Sequence, residues 1–329
     1  MTHDQFAVLS NQAVAAAGVV YFLAVLAHLW QWAQLRKAVP AQVSEEALVG
    51  AGAPVVGGTD AAVHHVPAGA EEAADRADMF GRIGVALTVV AVALHAVADV
   101  SRGLAADPVR VPWGNMYEFT MTATLMVGIA YLVLYKRLGL DWLAPVVTSF
   151  ILVTLMVDVL LLYSPVVPLR DALDSYWLVI HVVAAIIATG AFTIGGMASV
   201  LYLVLDWREK RGPLKPGSYL SRLPGLDALD RIAYRTQAFA FPVWTFAALI
   251  AGPIWAQHAW GSYWNWDPKE VWAFITWVVY AAYLHARATA GWKGRAAAIV
   301  ALIGLATLWF NFVGINFFFG SGSMHSYAQ

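Results

Sequence analysis

Eight apolar stretches dominate the chain, at 11–33, 83–100, 119–135, 143–163, 177–205, 239–257, 271–285 with its flanks, and 296–319. About 20 apolar residues cross a ~30 Å hydrocarbon core as a helix. With 60% hydrophobic and only 12% charged residues, there is too little polar surface to cover a water-soluble globule. In lipid each main-chain N–H and C=O must find a partner inside its own segment or a closed barrel. The expected fold is therefore all-α, a polytopic integral membrane protein of about eight transmembrane helices.

Basic residues set the expected orientation. Sixteen Lys and Arg fall after the first, third, fifth and seventh stretches or before the second and sixth, among them Arg36, Lys37, Lys136, Arg137, Arg287 and Lys293. The opposite side carries four: Arg102, Arg110, Arg170 and Lys269. Lys and Arg concentrate in cytoplasmic loops, so both termini are expected outside. The first stretch has no basic residue before it and two after it, the pattern of a retained helix rather than a secretory signal.

Residues 1–37 thus read as a first transmembrane helix and 38–80 as a mobile cytoplasmic loop without helical apolar spacing. The remainder, 81–329, forms one membrane domain with an external loop at 258–270. His64 and His65 fall in the cytoplasmic loop, which offers a metal no rigid geometry. The basic segment 206–235 is expected along the anionic inner leaflet. No internal repeat is visible. Twenty basic against 21 acidic residues give no surface for nucleic acid. The absence of cysteine excludes disulfides, thiolate metal sites and a cysteine nucleophile.

Chemistry concentrates in the external loop, Trp260-Gly261-Ser262-Tyr263-Trp264-Asn265-Trp266-Asp267-Pro268-Lys269-Glu270. Asp267, Pro268 and Glu270 carry the pattern of a helix start, with a carboxylate cap, proline at the first position and a reciprocal acid at the third. Asn115 and Glu118 have the spacing of a second capping box. Three tryptophans within seven residues exceed what interfacial anchoring requires. In an extended loop Trp264 and Trp266 would share one side as an apolar shelf for a planar ligand, and Gly261 would allow a sharp turn or a close approach. His181, four residues into the fifth helix, and His325, in the external tail, flank that face. Two histidines beside an aromatic shelf suggest haem held by two imidazoles.

The run Trp260-Gly-x-x-Trp264-x-Trp266-Asp267-x-x-Glu270 resembles the tryptophan-rich WWD signature of haem-handling proteins of cytochrome c maturation. With Asn115-Met116-Tyr117-Glu118, Ser175-x-Trp177-Leu178-x-Ile180-His181-Val182 and His325-Ser326-Tyr327, the chain from about Ile83 onward resembles the CcsA/ResC-type subunit, also called CcsB, of the system II cytochrome c synthase. The resemblance implies a protein of the plasma membrane that works with a ResB/Ccs1-type partner, and indirectly with thioredoxin-like thiol reductants. It would move haem b, as cargo, to the outer face and present it to the Cys-x-x-Cys-His thiols of apocytochrome c as part of a haem lyase complex. His181 and His325 would then ligate the outer haem, with Trp260, Gly261, Trp264, Trp266 and Asp267 as its platform.

The same resemblance makes His285 a ligand of haem within the membrane. At ~1.5 Å per residue it lies about 21 Å below the outer start of the seventh stretch. Its counter-ligand would be a histidine of the partner, with His28, at a similar depth, as the alternative. Haem propionates need cationic partners, and Arg110 and Arg170 are candidates. A b-type electron-transfer subunit with a His28–His285 haem, and a small-molecule transporter, stay open as other classes. The first leaves the external loop without purpose; the second lacks the expected repeats and broken helices.

Overall fold

The computed structural model describes residues 1–38, 69–167, 175–319 and 323–324, and these contain helices and turns but no strand. The chain begins with α1 (His3–Ala38) and α2 (Ala70–Leu104). They pack along their length, with the small side chains Ala13, Ala17, Ala91 and Ala98 buried in one core. Ser10 Oγ donates to the Ala98 carbonyl at 2.8 Å. Gly84 lies flush on the His28 ring, where a Cβ would come within 2.5 Å of Cε1. Helix α2 starts inside the segment 38–80 that the sequence reading gave to a loop. Good helix formers with acids in the first turn and the Glu72–Arg76 pair one turn apart sustain helix here without an apolar stripe.

Next come α3 (Met116–Leu138), α4 (Ala144–Val157) with a π-helical turn at Asp158–Leu162, and the central α5 (Tyr176–Glu209). Asn115 caps α3 by accepting from the Glu118 N–H at 2.9 Å. Only this half of the expected box forms, because the Glu118 side chain turns to two arginines instead. The expected loop 206–235 shrinks from both ends, since α5 runs to Glu209 and α6 (Leu226–Phe246) begins at Leu226. A π-helical turn, Ala247–Ala251, joins α6 to α7 (Gly252–Trp260). The last elements are α8 (Pro268–Thr289), α9 (Gly294–Trp309), a third π-helical turn at Phe310–Gly314, and α10 (Ile315–Phe318).

Seven of these spans, with α6–α7 and α9–α10 each counted once, are long and apolar enough to cross a membrane. Helix α8, the seventh stretch of the sequence, completes the expected eight but falls outside that set. Lys269, Glu270, His285 and Arg287 dilute its apolar run.

Helix α5 divides the interior. Its second half joins α1–α4 and the start of α6 in one core, with Tyr21, Tyr131, Ile151 and Leu205 at the centre. Its middle joins α6, α8 and α9 in another, where Phe192 and Tyr280 stack at 3.7 Å. At one end of the bundle Arg287 grips Asp230 through two bonds, at 2.7 and 3.0 Å, and the Gly294 N–H also donates to that carboxylate. At the other end His3 meets the Leu104 carbonyl, Asn11 meets Tyr163 and Ser323 meets Asp267. The described parts of both ends of the chain thus share the face that carries loop 258–270.

On that same face Glu118, fully buried, accepts from Arg102 Nε at 3.2 Å, from Arg110 Nη1 at 2.6 Å and Nη2 at 3.2 Å, and from the Gly114 N–H at 2.7 Å. Arg102 also donates to the Ser164 carbonyl and is itself only 1% exposed. Glu118→Gln leaves both guanidinium groups without a carboxylate, and removing one member of a buried pair costs roughly 3–5 kcal/mol. The variant should unfold at a clearly lower temperature in detergent than the native protein. Asp227→Asn, at an exposed carboxylate, should leave the midpoint where it was; equal midpoints for all three would contradict the assignment.

Candidate functional site

A cleft, partly open to the surroundings, lies between α3, α5, α6, α7, α8 and α9 near the face of the external loop. Its walls are mainly aromatic and aliphatic, with Phe119, Trp244, Trp255, Trp264, Trp309 and Phe312 supplying flat surface. The lining also carries polar side chains, among them His181, Lys269, Glu270 and Asn311.

His181 is held by main chain. Its Nδ1 lies 2.8 Å from the Ala247 carbonyl, which can only accept, so the proton sits on Nδ1 and the lone pair on Nε2. That tautomer is how a second hydrogen bond prepares a histidine for a metal. The Ala247 carbonyl also takes the Gly252 N–H, five residues on, across the π-helical turn. Gly252 lets the imidazole approach closely. A Cβ there would stand 3.1 Å from His181 Nδ1 and 3.1 Å from the Ala247 carbonyl oxygen. Trp255, almost fully buried, lies parallel to the ring at a centroid distance of 5.9 Å.

The external loop is built by the local rules its sequence announces. Gly261 ends α7 at φ 73°, its N–H donating to the Gln257 carbonyl, so its role is the sharp turn. Asp267 caps α8 and Glu270 returns the bond, completing the expected capping box. Glu270 Oε2 accepts the Asn265 N–H at 2.8 Å and the Asp267 N–H at 3.2 Å. Asp267 further holds Ser323 Oγ at 2.8 Å and the Met324 N–H at 2.7 Å. Burial lowers the Lys269 ammonium to about 8, against the opposing pull of Asp267. Its Nζ donates to Asn316 Oδ1 at 3.1 Å.

The flat shelf expected from Trp264 and Trp266 is not formed. Their rings stand 86° apart; Trp264 faces the cavity, whereas Trp266 is 74% exposed at φ 57°, a rare conformation for a bulky residue. The left-handed step at Trp266 breaks the extended geometry that would align the two side chains. Trp260 instead packs edge-on against Trp255 at 4.7 Å. Of the expected platform, Trp264 reaches the cavity lining, while Trp260, Gly261, Trp266 and Asp267 support it from outside.

Other expected residues lie apart. Arg110 is bound to Glu118 and the Val167 carbonyl and is not among the lining residues. His285 is exposed on the outer surface of α8, not buried as a membrane histidine would be without a partner. His28 is buried between α1 and α2. Helix α1 packs on α2 and α4 while α8 packs on α9 and α6, so the two imidazoles are not brought together. His258, exposed, bonds the Ile254 carbonyl one turn back. His325, Arg170, His64 and His65 lie outside the described residues. The sequence reading did not single out Trp244, Trp255, Gly252 or Asn311, and it counted Lys269 only as a charge outside; their importance comes from helices separated in the chain.

A family model described as "Cytochrome C assembly protein" matches residues 113–321. A cytochrome c biogenesis protein CcsA of Guillardia theta is 36% identical over 233 residues, covering 66% of this chain and 76% of that one. A protein of the same name from Chlamydomonas reinhardtii is 42% identical over 165 residues, covering 50% and 43%, and one from Gloeobacter violaceus is 34% identical over 208 residues, covering 49% and 61%.

The His181 arrangement can be tested without any ligand. Gly252→Val should push the imidazole off the Ala247 carbonyl, and in the solid-state ¹⁵N spectrum of histidine-labelled protein the His181 Nδ1 resonance should leave its protonated position. An unchanged resonance would show that the glycine is not what seats the ring.

Proposed function

The chain belongs to the cytochrome c assembly protein family, as a CcsA-type cytochrome c biogenesis protein in a membrane, and from that premise we propose that its cavity receives haem b for presentation to apocytochrome c. The observation that carries this reading is the cavity's content. A single lining imidazole, its Nδ1 bonded to the Ala247 carbonyl so that Nε2 is the nitrogen left for a metal, meets walls made largely of aromatic rings. Two further buried polar atoms on the lining, Trp264 Nε1 and Asn311 Oδ1, have no hydrogen-bond partner among the described residues. A buried polar atom left unpaired is costly, and a large ligand with polar edges supplies partners.

Haem is the substrate, and the chemistry it undergoes is addition of each thiol S–H of a Cys-x-x-Cys-His segment across a vinyl double bond. This chain provides neither thiol. Its part is to hold the ring plane between Trp264, Trp255 and their neighbours and to keep one imidazole on the iron, so that thiols and vinyl groups meet in productive geometry. His325 is the second outer ligand in this proposal, and the histidine of apocytochrome c replaces one of the two on transfer. Loop 258–270 and both termini face outward, as the distribution of basic residues indicates.

His285 serves an earlier station within the membrane. An imidazole exposed on a helix flank in hydrocarbon is unfavourable unless paired, which supports a counter-ligand on a ResB/Ccs1-type subunit rather than His28. The electron-transfer alternative, which needs His28 and His285 on one haem, has no such support from the packing.

The test is co-purification with the ResB/Ccs1-type subunit followed by a visible spectrum. His181→Gly should lose the bis-imidazole haem signal of the outer site and cytochrome c maturation, and added imidazole should restore part of both. Normal maturation by the His181→Gly variant would sink the assignment.

A further inference from the structure

The π-helical turn Asp158–Leu162 puts no residue on the lining of the cavity, yet it opens on a carboxyl group. Asp158 is fully buried, and neither of its side-chain oxygens has a hydrogen-bond partner among the described residues. Two side chains one turn apart on α3, Tyr117 and Thr120, stand beside it. Both are buried, and their hydroxyls are likewise unpaired among the described residues. Buried polar groups are almost always bonded, so unpaired hydroxyls around an unpaired carboxyl mark a site for a small polar ligand.

Charge decides which ligand. Arg102 lies near Asp158, but its Nε donates to Glu118 and an Nη to the Ser164 carbonyl. Arg110 is bidentate on Glu118. The other titratable groups around them are Asp99, on α2, and Tyr163, after the π-helical turn. Asp99, Glu118 and Asp158 therefore meet only Arg102 and Arg110, which leaves one negative charge unbalanced inside an apolar span. Such a charge is costly, and one proton removes it. Asp99 accepts the Thr122 hydroxyl at 2.8 Å, a bond that favours its ionised form. Asp158 has no such donor and takes the proton.

Thr120 connects this group to the cavity. It lines a small hollow with Thr124, Thr154, Thr189 and Thr193. The hollow shares Ala123, Thr189, Trp309 and Phe312 with the cavity wall, and Thr193 Oγ1 is buried and unpaired among the described residues. A hydroxyl both donates and accepts, so a run of them can pass a proton along.

We propose that Asp158 is a proton-binding site that serves the cavity, reached through Thr120 and the threonine-lined hollow. The site does not depend on what fills the cavity; its use in thiol addition rests on the haem reading above. In that use sulfur bonds to one vinyl carbon, the electron pair of the double bond moves to the other carbon, and that carbon takes a proton. Asp158 gives up its proton for this and recovers one from the thiol, so no further reactant is consumed.

The experiment is infrared spectroscopy of the full-length chain in lipid nanodiscs, grown with aspartate ¹³C-labelled at the side-chain carboxyl. At neutral pH the native protein should show the carbonyl band of a labelled, protonated carboxylic acid. Asp158→Asn should abolish that band and Asp99→Asn should keep it. Where Asp158→Asn does not fold, Asp158→Glu retains a carboxyl but removes the labelled one, and should abolish the band as well. In deuterium oxide the native band should shift as the proton exchanges, and Thr120→Val should slow the shift several-fold. A native protein without the band, or a band that survives at Asp158→Asn, would overturn the site. An unslowed shift in Thr120→Val would overturn the route. Asp158→Asn should also slow cytochrome c maturation several-fold with the haem spectrum unchanged. Normal maturation by a variant that has lost the band would overturn the use in thiol addition alone, leaving the proton site and the haem reading in place.

Discussion

A main-chain carbonyl inside a membrane has to find its hydrogen bond within the protein, and the candidate site is organised around places where the helical pattern of those bonds changes. Two of the three π-helical turns, Ala247–Ala251 and Phe310–Gly314, border the cavity. The first has a plain cause in sequence. Pro253 has no N–H for the carbonyl of Leu249 and its ring crowds that turn, so the chain widens just ahead of it. The widened turn passes the Ala247 carbonyl from its ordinary α-helical partner to the Gly252 N–H, and the same oxygen holds the His181 imidazole. Seating the histidine therefore depends on a backbone irregularity and on Gly252, whose missing side chain makes room for the ring. Such insertions in helices often occur at functional sites.

The basic side chains divide by chemistry. Arg102 and Arg110 converge on one buried carboxylate, for which the planar fork of a guanidinium is well matched. That knot ties the end of α2 and the loop after it to the start of α3, and with the Ser164 and Val167 carbonyls it reaches the segment after α4. Lys269 is a compact charge on a flexible stem, placed where α8 begins and where burial already lowers its affinity for a proton. An arginine fixed to a buried glutamate is a strut, and Lys269, whose Nζ donates to Asn316 Oδ1, ties the start of α8 to α10.

Features governed by near neighbours in sequence were legible before the fold was known. The spans, the Asn115 cap, the Asp267–Glu270 box and the turn at Gly261 depend on residues within a few positions of one another. The Trp264–Trp266 shelf was inferred from a local rule as well, but the left-handed backbone at Trp266 breaks that geometry. Arg110 looked available because its partner Glu118 had been assigned wholly to helix capping. Trp244, Trp255 and Asn311 sit in ordinary apolar runs and gain meaning only when α6–α7 and the end of α9 close around α5. Gly252 carried the strongest missed signal: a Gly-Pro pair inside an apolar span marks a place where a helix must deviate.

Helix α8 links the two proposed haem stations. It begins in the cavity wall with Lys269 and exposes His285 on its surface 16 residues later, about 24 Å along the axis at 1.5 Å per residue. The residues that make it the least apolar of the eight spans lie toward its two ends. A charged first turn is tolerable where the capping box and the cavity receive it. An outward imidazole is tolerable where a second protein covers it. Because the hydrogen-bonded helix is continuous between these points, a displacement of its surface on partner binding would act directly on the wall that holds Lys269. Coupling between delivery within the membrane and presentation outside then needs no additional moving element, only a rigid helix shared by both sites.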